Sequence, residues 1–252
     1  MDSRKYPRTY HFPFSPGTTS DDRIAKSFDK ILTEEIVITE KLDGENTCLN
    51  KSGVFSRSHT SPTRHPWANY MWDYWQNLRQ GLGDLEIFGE SLYAVHSIEY
   101  TGLNEYFYVF AIREGSQWLA WEQVVEYAEI LQFPTVPVLF KGKIAELEPV
   151  GMENGQKIEN LIQEILQKPS YLTDESLGKS PKEGIVARIT QSFSDEAFAQ
   201  SVIKWVRKNH VQTDKHWTKN WRRAKLNFEL KAQWQKKMKE LDDLKKRNSN
   251  LD

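Results

Sequence analysis

Lys41 closes a β-branched run, Ile36-Val37-Ile38-Thr39, and is followed almost at once by an Asp43-Gly44 pair. A lysine held at a strand terminus by rigid backbone can serve as a nucleophile when nearby cations or burial keep its amine neutral. Lys-x-Asp-Gly equally describes a surface lysine beside a turn. Further charged and aromatic residues recur on short apolar runs downstream. They are Arg57 in Phe55-Ser56-Arg57, Glu90 in Ile87-Phe88-Gly89-Glu90, and Phe110 in Phe107-Tyr108-Val109-Phe110. Glu183 precedes Gly184-Ile185-Val186-Ala187-Arg188, and Lys204 sits in Val202-Ile203-Lys204-Trp205. Brought together on strand ends, such a set suits a nucleotide. The aromatic would stack on a base, the cations would meet phosphate, and the carboxylates would meet ribose hydroxyls and a divalent metal.

The elements that must carry these residues can be read from periodicity. Residues 35–40, 46–50, 54–58, 85–88, 106–112, 136–140, 184–190 and 201–206 read as strands, with Pro137 marking 136–140 as an edge. Residues 1–20 read as an extended arm and 21–31 as a short helix. Trp67, Tyr70, Met71, Tyr74, Trp75 and Leu78 form one face of a helix between Pro66 and Gly81, and this stripe is core packing. Trp72 lies off that stripe and, with Arg64 and His65, is a weaker candidate for contacting nucleic acid. Further helices are expected over 120–131 and 158–167, and from Thr213 onward. Strands and helices alternate without a βαβ rhythm, so the expected class is α+β with largely antiparallel pairing.

Taken in order, EKLDGEN, FSR, IFGE, FYVFAI, EGIVAR and VIKW resemble the covalent nucleotidyltransferases, and among them the ATP-dependent RNA ligases of the nick-sealing phage type. The resemblance spans roughly residues 35–208. It implies an antiparallel, ATP-grasp-like ligase adenylation domain over 1–210, with a short helical C-terminal appendage over 211–252 and no OB domain. It also implies that Lys41 attacks the α-phosphorus of ATP to form lysyl-AMP. Glu40 would read the adenine edge, and Asn46 would lie near the reacting phosphate and the RNA end. Arg57 would contact ribose and the RNA end, Glu90 a ribose hydroxyl, and Phe110 the adenine face. Glu183 would bind Mg2+ (or Mn2+) and Lys204 would touch the α-phosphate. The implied partner is RNA with 5′-phosphate and 3′-hydroxyl ends. A DNA ligase, a capping-type guanylyltransferase and a non-catalytic RNA-binding protein on the same scaffold stand as alternatives.

Two positions depart from the family pattern. Val206 stands where a second lysine is usual, with Arg207 on the opposite strand face and Lys208 two residues beyond. Asp43 stands where the phage type commonly has histidine. The C-terminal stretch is basic, with 12 Lys/Arg against 6 Asp/Glu over residues 211–252 of a chain whose net charge is −1. Such a footprint suits a polyanion, and Trp217, Arg222 and Arg223, with Arg207 and Lys208, are RNA-binding candidates. As an alternative, Trp217 and Trp221 dock this stretch on the core. No apolar run approaches the ~20 residues of a membrane span. The lone cysteine, Cys48, suits a reducing, cytoplasmic setting. The chain is read as a monomer.

Overall fold

The computed structural model describes residues 5–208 and 220–248. Two sheets form the body. In the first, β1 (Tyr10–His11), β11 (Val202–Val206), β9 (Gly184–Ile189), β2 (Glu35–Lys41) and β8 (Val138–Lys143) lie side by side in that order. The second runs β10 (Phe193–Ser194), β7 (Gln117–Trp118), β6 (Phe107–Glu114), β5 (Leu85–Ser91), β3 (Glu45–Asn50) and β4 (Gly53–Ser56). The strand pairs are antiparallel except β1 with β11, which run parallel. The α+β, largely antiparallel architecture is the one expected, and β8 is an edge strand as Pro137 indicated.

Strand alternation sorts the first sheet into a core face and a site face. Ile36 and Ile38, Ile185 and Ala187, and Ile203 and Trp205 bury against Ile158, Ile162 and Ile165 of helix α4 (Asn154–Gln167). The opposite face carries Thr39 and Lys41, Val186 and Arg188, and Val202 and Lys204. The second sheet packs Leu49, Ile87, Val109 and Ile112 with Met71 of α2 (Asn69–Leu78) and Val124 of α3 (Trp121–Ile130). The chain crosses between sheets at Leu42-Asp43-Gly44, so Lys41 is the last residue of one sheet and Glu45 the first of the other. Asp43 fixes that crossing. Its Oδ2 accepts the Ser97 and Ile98 N–H groups at 2.8 and 2.7 Å.

Gly184 permits the closest approach in the first sheet. A Cβ there would stand 2.1 Å from the Trp205 carbonyl oxygen, a backbone atom that cannot swing aside. Gly184→Ala is therefore expected to destabilise the fold by about 1–3 kcal/mol, measured as a lower denaturant midpoint.

The structure corrects several sequence-based readings. Residues 21–31 are not one helix: only α1 (Asp29–Thr33) is helical, because residues 23–25 run beside β1 and trade backbone hydrogen bonds with His11. The arm of residues 5–20 is built into the body, with Phe12 wholly buried and Phe12 N–H bonded to the Lys204 carbonyl. The C-terminal helix, α5, spans Asn227–Asn248 and does not include residues 220–226. Those residues are held extended by bonds from Ala224 N–H to Tyr93 O and from Val95 N–H to Arg222 O. Residues 213–219 of the expected helix, with Trp217, lie outside the described residues. Trp72 has a structural explanation: its indole donates to Thr63 O at 3.0 Å and its ring lies over Gly53. No helix among the described residues is long and apolar enough to cross a membrane.

Candidate active site

A cavity of about 360 Å3 opens between the two sheets. Its walls include Glu40, Lys41 and Lys204 from the first sheet and Asn46, Arg57, Glu90 and Phe110 from the second. Lys41 Nζ donates to both oxygens of Glu183, at 2.7 and 2.8 Å. Glu183 immediately precedes β9, and the register pairs Lys41 with Gly184, which brings the two charges together. The site thus assembles Glu40, Lys41, Asn46, Arg57, Glu90, Phe110, Glu183 and Lys204.

Electrostatics differ from the expectation that Lys41 is held neutral. Burial alone would lower its pKa, but Glu183 and then Glu90 outweigh that and raise it above the ordinary lysine value. In the ligand-free protein Lys41 is an ammonium clasped by a carboxylate. Lys204 shifts the other way, lowered by burial and by the Lys41 charge, with Asp22 opposing. Glu90 accepts the Gly44 N–H at 3.1 Å, and burial, helped by the Glu183 charge, pushes its carboxyl up to about 8.

That shift carries a stability consequence. A carboxyl raised from 4.5 to about 8 leaves the fold unpenalised below pH 4.5. It increasingly opposes folding as the pH climbs toward 8, because the unfolded chain ionises more readily. Glu90→Gln, uncharged throughout, should be more stable than the parent at pH 9 by about 2 kcal/mol, after discounting for partial exposure. Denaturant midpoints should converge near pH 4.5.

Two buried oxygens on residues that line this cavity have no hydrogen-bond partner, Glu40 Oε1 and Asn46 Oδ1. Glu40 Oε2 accepts the Tyr171 N–H at 2.8 Å, which fixes the carboxyl and leaves Oε1 for a ligand donor. Burial raises the Glu40 pKa against the pull of Ser170, Tyr171 and Lys182. Unmet buried acceptors are costly, and a polar ligand relieves them. Among the described residues no group of three His, Cys, Asp or Glu side chains could hold a metal unaided. Glu183 with phosphate oxygens fits the way magnesium is held beside substrate phosphates.

The other candidates lie elsewhere. Arg207 donates its backbone N–H to Glu183 O at 3.0 Å, and Lys208 is exposed; neither lines the cavity. Val206 is wholly buried, and its backbone is clasped by Ser15 and Gly17, so no bulge brings a second cation onto its face. Arg222 forms a two-pronged ion pair with Glu99, both contacts at 2.8 Å, and Arg223 pairs with Glu229 and donates to Tyr106. Trp221 lies edge-on to Trp67, its ring centroid 5.8 Å away, so this stretch is docked on the body.

Sequence reasoning missed Tyr6, Pro7, Thr9 and His96, all of which line the cavity. Tyr6 meets Phe110 edge-on at 5.1 Å and so fixes the ring expected to face a base. A signal was present: aromatics at 6, 10, 12 and 14 keep the period of two that marks a strand.

A family model described as RNA ligase matches residues 34–206. No curated protein matches the chain. Among solved structures, an archaeal ATP-dependent RNA ligase gives a TM-score of 0.49 at 13% identity, covering 81% of this chain and 48% of its own. A putative ATP-dependent DNA ligase from Aquifex aeolicus gives 0.47 at 18% identity, with coverages of 81% and 50%. An apo mutant of Naegleria gruberi RNA ligase gives 0.47 at 17% identity, with coverages of 84% and 64%. The chain spans about half the length of the first of these.

Proposed function

Because the chain belongs to the RNA ligase family, we propose that it is an ATP-dependent RNA ligase that joins a 3′-hydroxyl to a 5′-phosphate through a lysyl-AMP intermediate on Lys41. The observation that carries this reading is the position of Lys41. Its amine lines a cavity of nucleotide size, bonded to Glu183 and facing Lys204, beside two unmet buried acceptors.

In the first step the Lys41 ammonium sheds a proton, for which the bonded Glu183 carboxylate is the acceptor within reach. The amine then attacks the α-phosphorus of ATP. A P–N bond forms, the bond to the bridging oxygen breaks, and pyrophosphate leaves. In the second step an oxygen of the RNA 5′-phosphate attacks the same phosphorus, the P–N bond breaks and Lys41 regains its proton. In the third, the RNA 3′-hydroxyl attacks the activated 5′-phosphate and AMP departs. Each step is a phosphoryl displacement, so the protein supplies positioning and charge. Lys204 stabilises the charge on the α-phosphate, Phe110 and Tyr6 bound the base, Glu40 Oε1 accepts from its exocyclic amine, and Glu90 meets the ribose. A magnesium or manganese ion held by Glu183 and phosphate would supply further positive charge. Asn46 and Arg57, at the second-sheet wall, meet the RNA end.

The reading also takes residues 1–210 as the adenylation domain and 211–252 as an appendage. Arg207, Lys208, Arg222 and Arg223 remain candidates for the RNA backbone, and a monomer is the acting unit. Intact-mass spectrometry of the full chain with ATP and magnesium tests the proposal. A species heavier by one adenylyl group is expected, mapping to Lys41. A chain loaded only from GTP, or never loaded after pre-bound adenylate is stripped, overturns it.

A further inference from the structure

The N-terminal segment reaches the site from behind Lys204. β1 lies parallel to β11 with His11 paired to Lys204, and Phe12 N–H donates to the Lys204 carbonyl at 2.8 Å. The chain then turns back. Gly17 N–H bonds Val206 O at 2.9 Å, and Asp22 returns its carboxylate to the Lys204 side chain. Asp22 Oδ1 lies 3.5 Å from Lys204 Nζ and 3.2 Å from His11 Nε2. Its Oδ2 accepts both the N–H and the hydroxyl of Thr19, each at 3.0 Å. The carboxylate is therefore fixed through both oxygens.

His11 is wholly buried, and its other ring nitrogen lies 3.0 Å from Ser15 Oγ. That hydroxyl accepts the Val206 N–H at 3.0 Å. The same hydroxyl lies 3.4 Å from the Val206 carbonyl oxygen, so Ser15 links the His11 ring to the β11 backbone. Ser15, His11, Asp22 and Lys204 thus form one chain of contacts from a strand backbone to the ammonium in the cavity.

Lys204 needs such an anchor. Lys41 and Arg57 are cations on the same cavity and repel it. Val206, the next residue on its strand face, is apolar and buried, so β11 offers one cation to the cavity. We propose that Asp22, backed by His11, is a positioning residue that holds the Lys204 ammonium in line with Lys41 and releases it to the arriving phosphate. Nothing in a motif reading marks Asp22, because it acts on the site through space from a segment outside the family match. The inference rests on the nucleotidyl-transfer reading of Lys41.

Two measurements on the full chain separate the two claims. The first is acetylation of lysine amines by a small anhydride without nucleotide, read by peptide mass spectrometry. Asp22→Asn should speed labelling of Lys204 several-fold while exposed Lys26 labels as before, and Asp22→Glu should restore slow labelling. Unchanged Lys204 labelling overturns the anchor whatever the enzyme does. The second is the rate of the Lys41 adenylyl adduct at varied ATP. Asp22→Asn should slow it about tenfold at saturating ATP, with the half-saturating concentration moving less than about threefold. The double variant Asp22→Asn/Lys204→Ala should be no slower than Lys204→Ala alone. Multiplying effects would mean that Asp22 acts elsewhere, and overturn the anchor. If the wild-type chain forms no adduct while the labelling change appears, the ligase reading fails and the anchor stands.

Discussion

Lys41→Ala should yield a chain that takes up no adenylyl group and seals RNA at least about a thousandfold more slowly than the parent. The size of the effect follows from the chemistry. The lysine is bonded into the intermediate, so its loss removes the pathway and not merely a contact. Alanine also deprives Glu183, only 6% exposed, of its ammonium partner, which lowers stability. Lys41→Arg is the control for that side effect. It keeps a cation beside Glu183 but cannot deprotonate to attack, so it should melt near the parent and still form no adduct. Joining of pre-adenylylated RNA offers a finer readout. That reaction bypasses the first transfer, so Lys41→Ala should retain far more of it than of ATP-driven sealing.

Glu183→Gln should cut the rate of adduct formation by on the order of a hundredfold at the pH plateau while moving the rising limb of the pH profile to lower pH. The two parts have opposite origins. Glu183 and Glu90 hold the Lys41 pKa above its ordinary value, so in the parent the fraction of free amine grows as the pH climbs toward that raised pKa. Removing one carboxylate charge leaves burial, which lowers the amine's pKa, opposed by Glu90 and Asp43 alone, and the limb shifts acidward. The plateau falls because the proton acceptor and the charge that would bind a metal are gone. Stability follows the same sign. The Lys41–Glu183 pair stabilises the fold at neutral pH, and that contribution fades only as the pH rises through the elevated lysine pKa. Single-turnover rates from pH 6 to 12 for both proteins test the shift and the plateau; an unmoved limb would show that the carboxylate does not govern the amine.

Much of the site could be read from residue order because each residue sits on or beside a strand whose apolar pattern is local. Lys41, Asn46, Glu90, Phe110 and Lys204 are all placed by period-two runs, and the antiparallel register then gathers them. What could not be read depends on partners distant in sequence. Tyr6 and Asp22 belong to a segment whose pairing strand, β11, begins at Val202. Pro7 and Pro13, which have no N–H to give a ladder, weaken its strand signature despite the aromatic alternation. The helix expected over 21–31 failed because residues 23–25 found backbone partners in His11. The upward shift of Lys41 was not legible because its cause, Glu183 at 2.7 Å, lies 142 residues away in sequence. Asp43, an apparent departure from pattern, turns out to tie the crossing between sheets to residues 97–98.

That three-residue crossing has a mechanical corollary. The two slabs of the body meet along a seam, and the seam is where a nucleotide would lodge, its phosphate against one slab, its sugar against the other and its base between them. A substrate seated there is a rivet through both plates. Each catalytic cycle would then alternate between a braced, loaded body and a more compliant empty one.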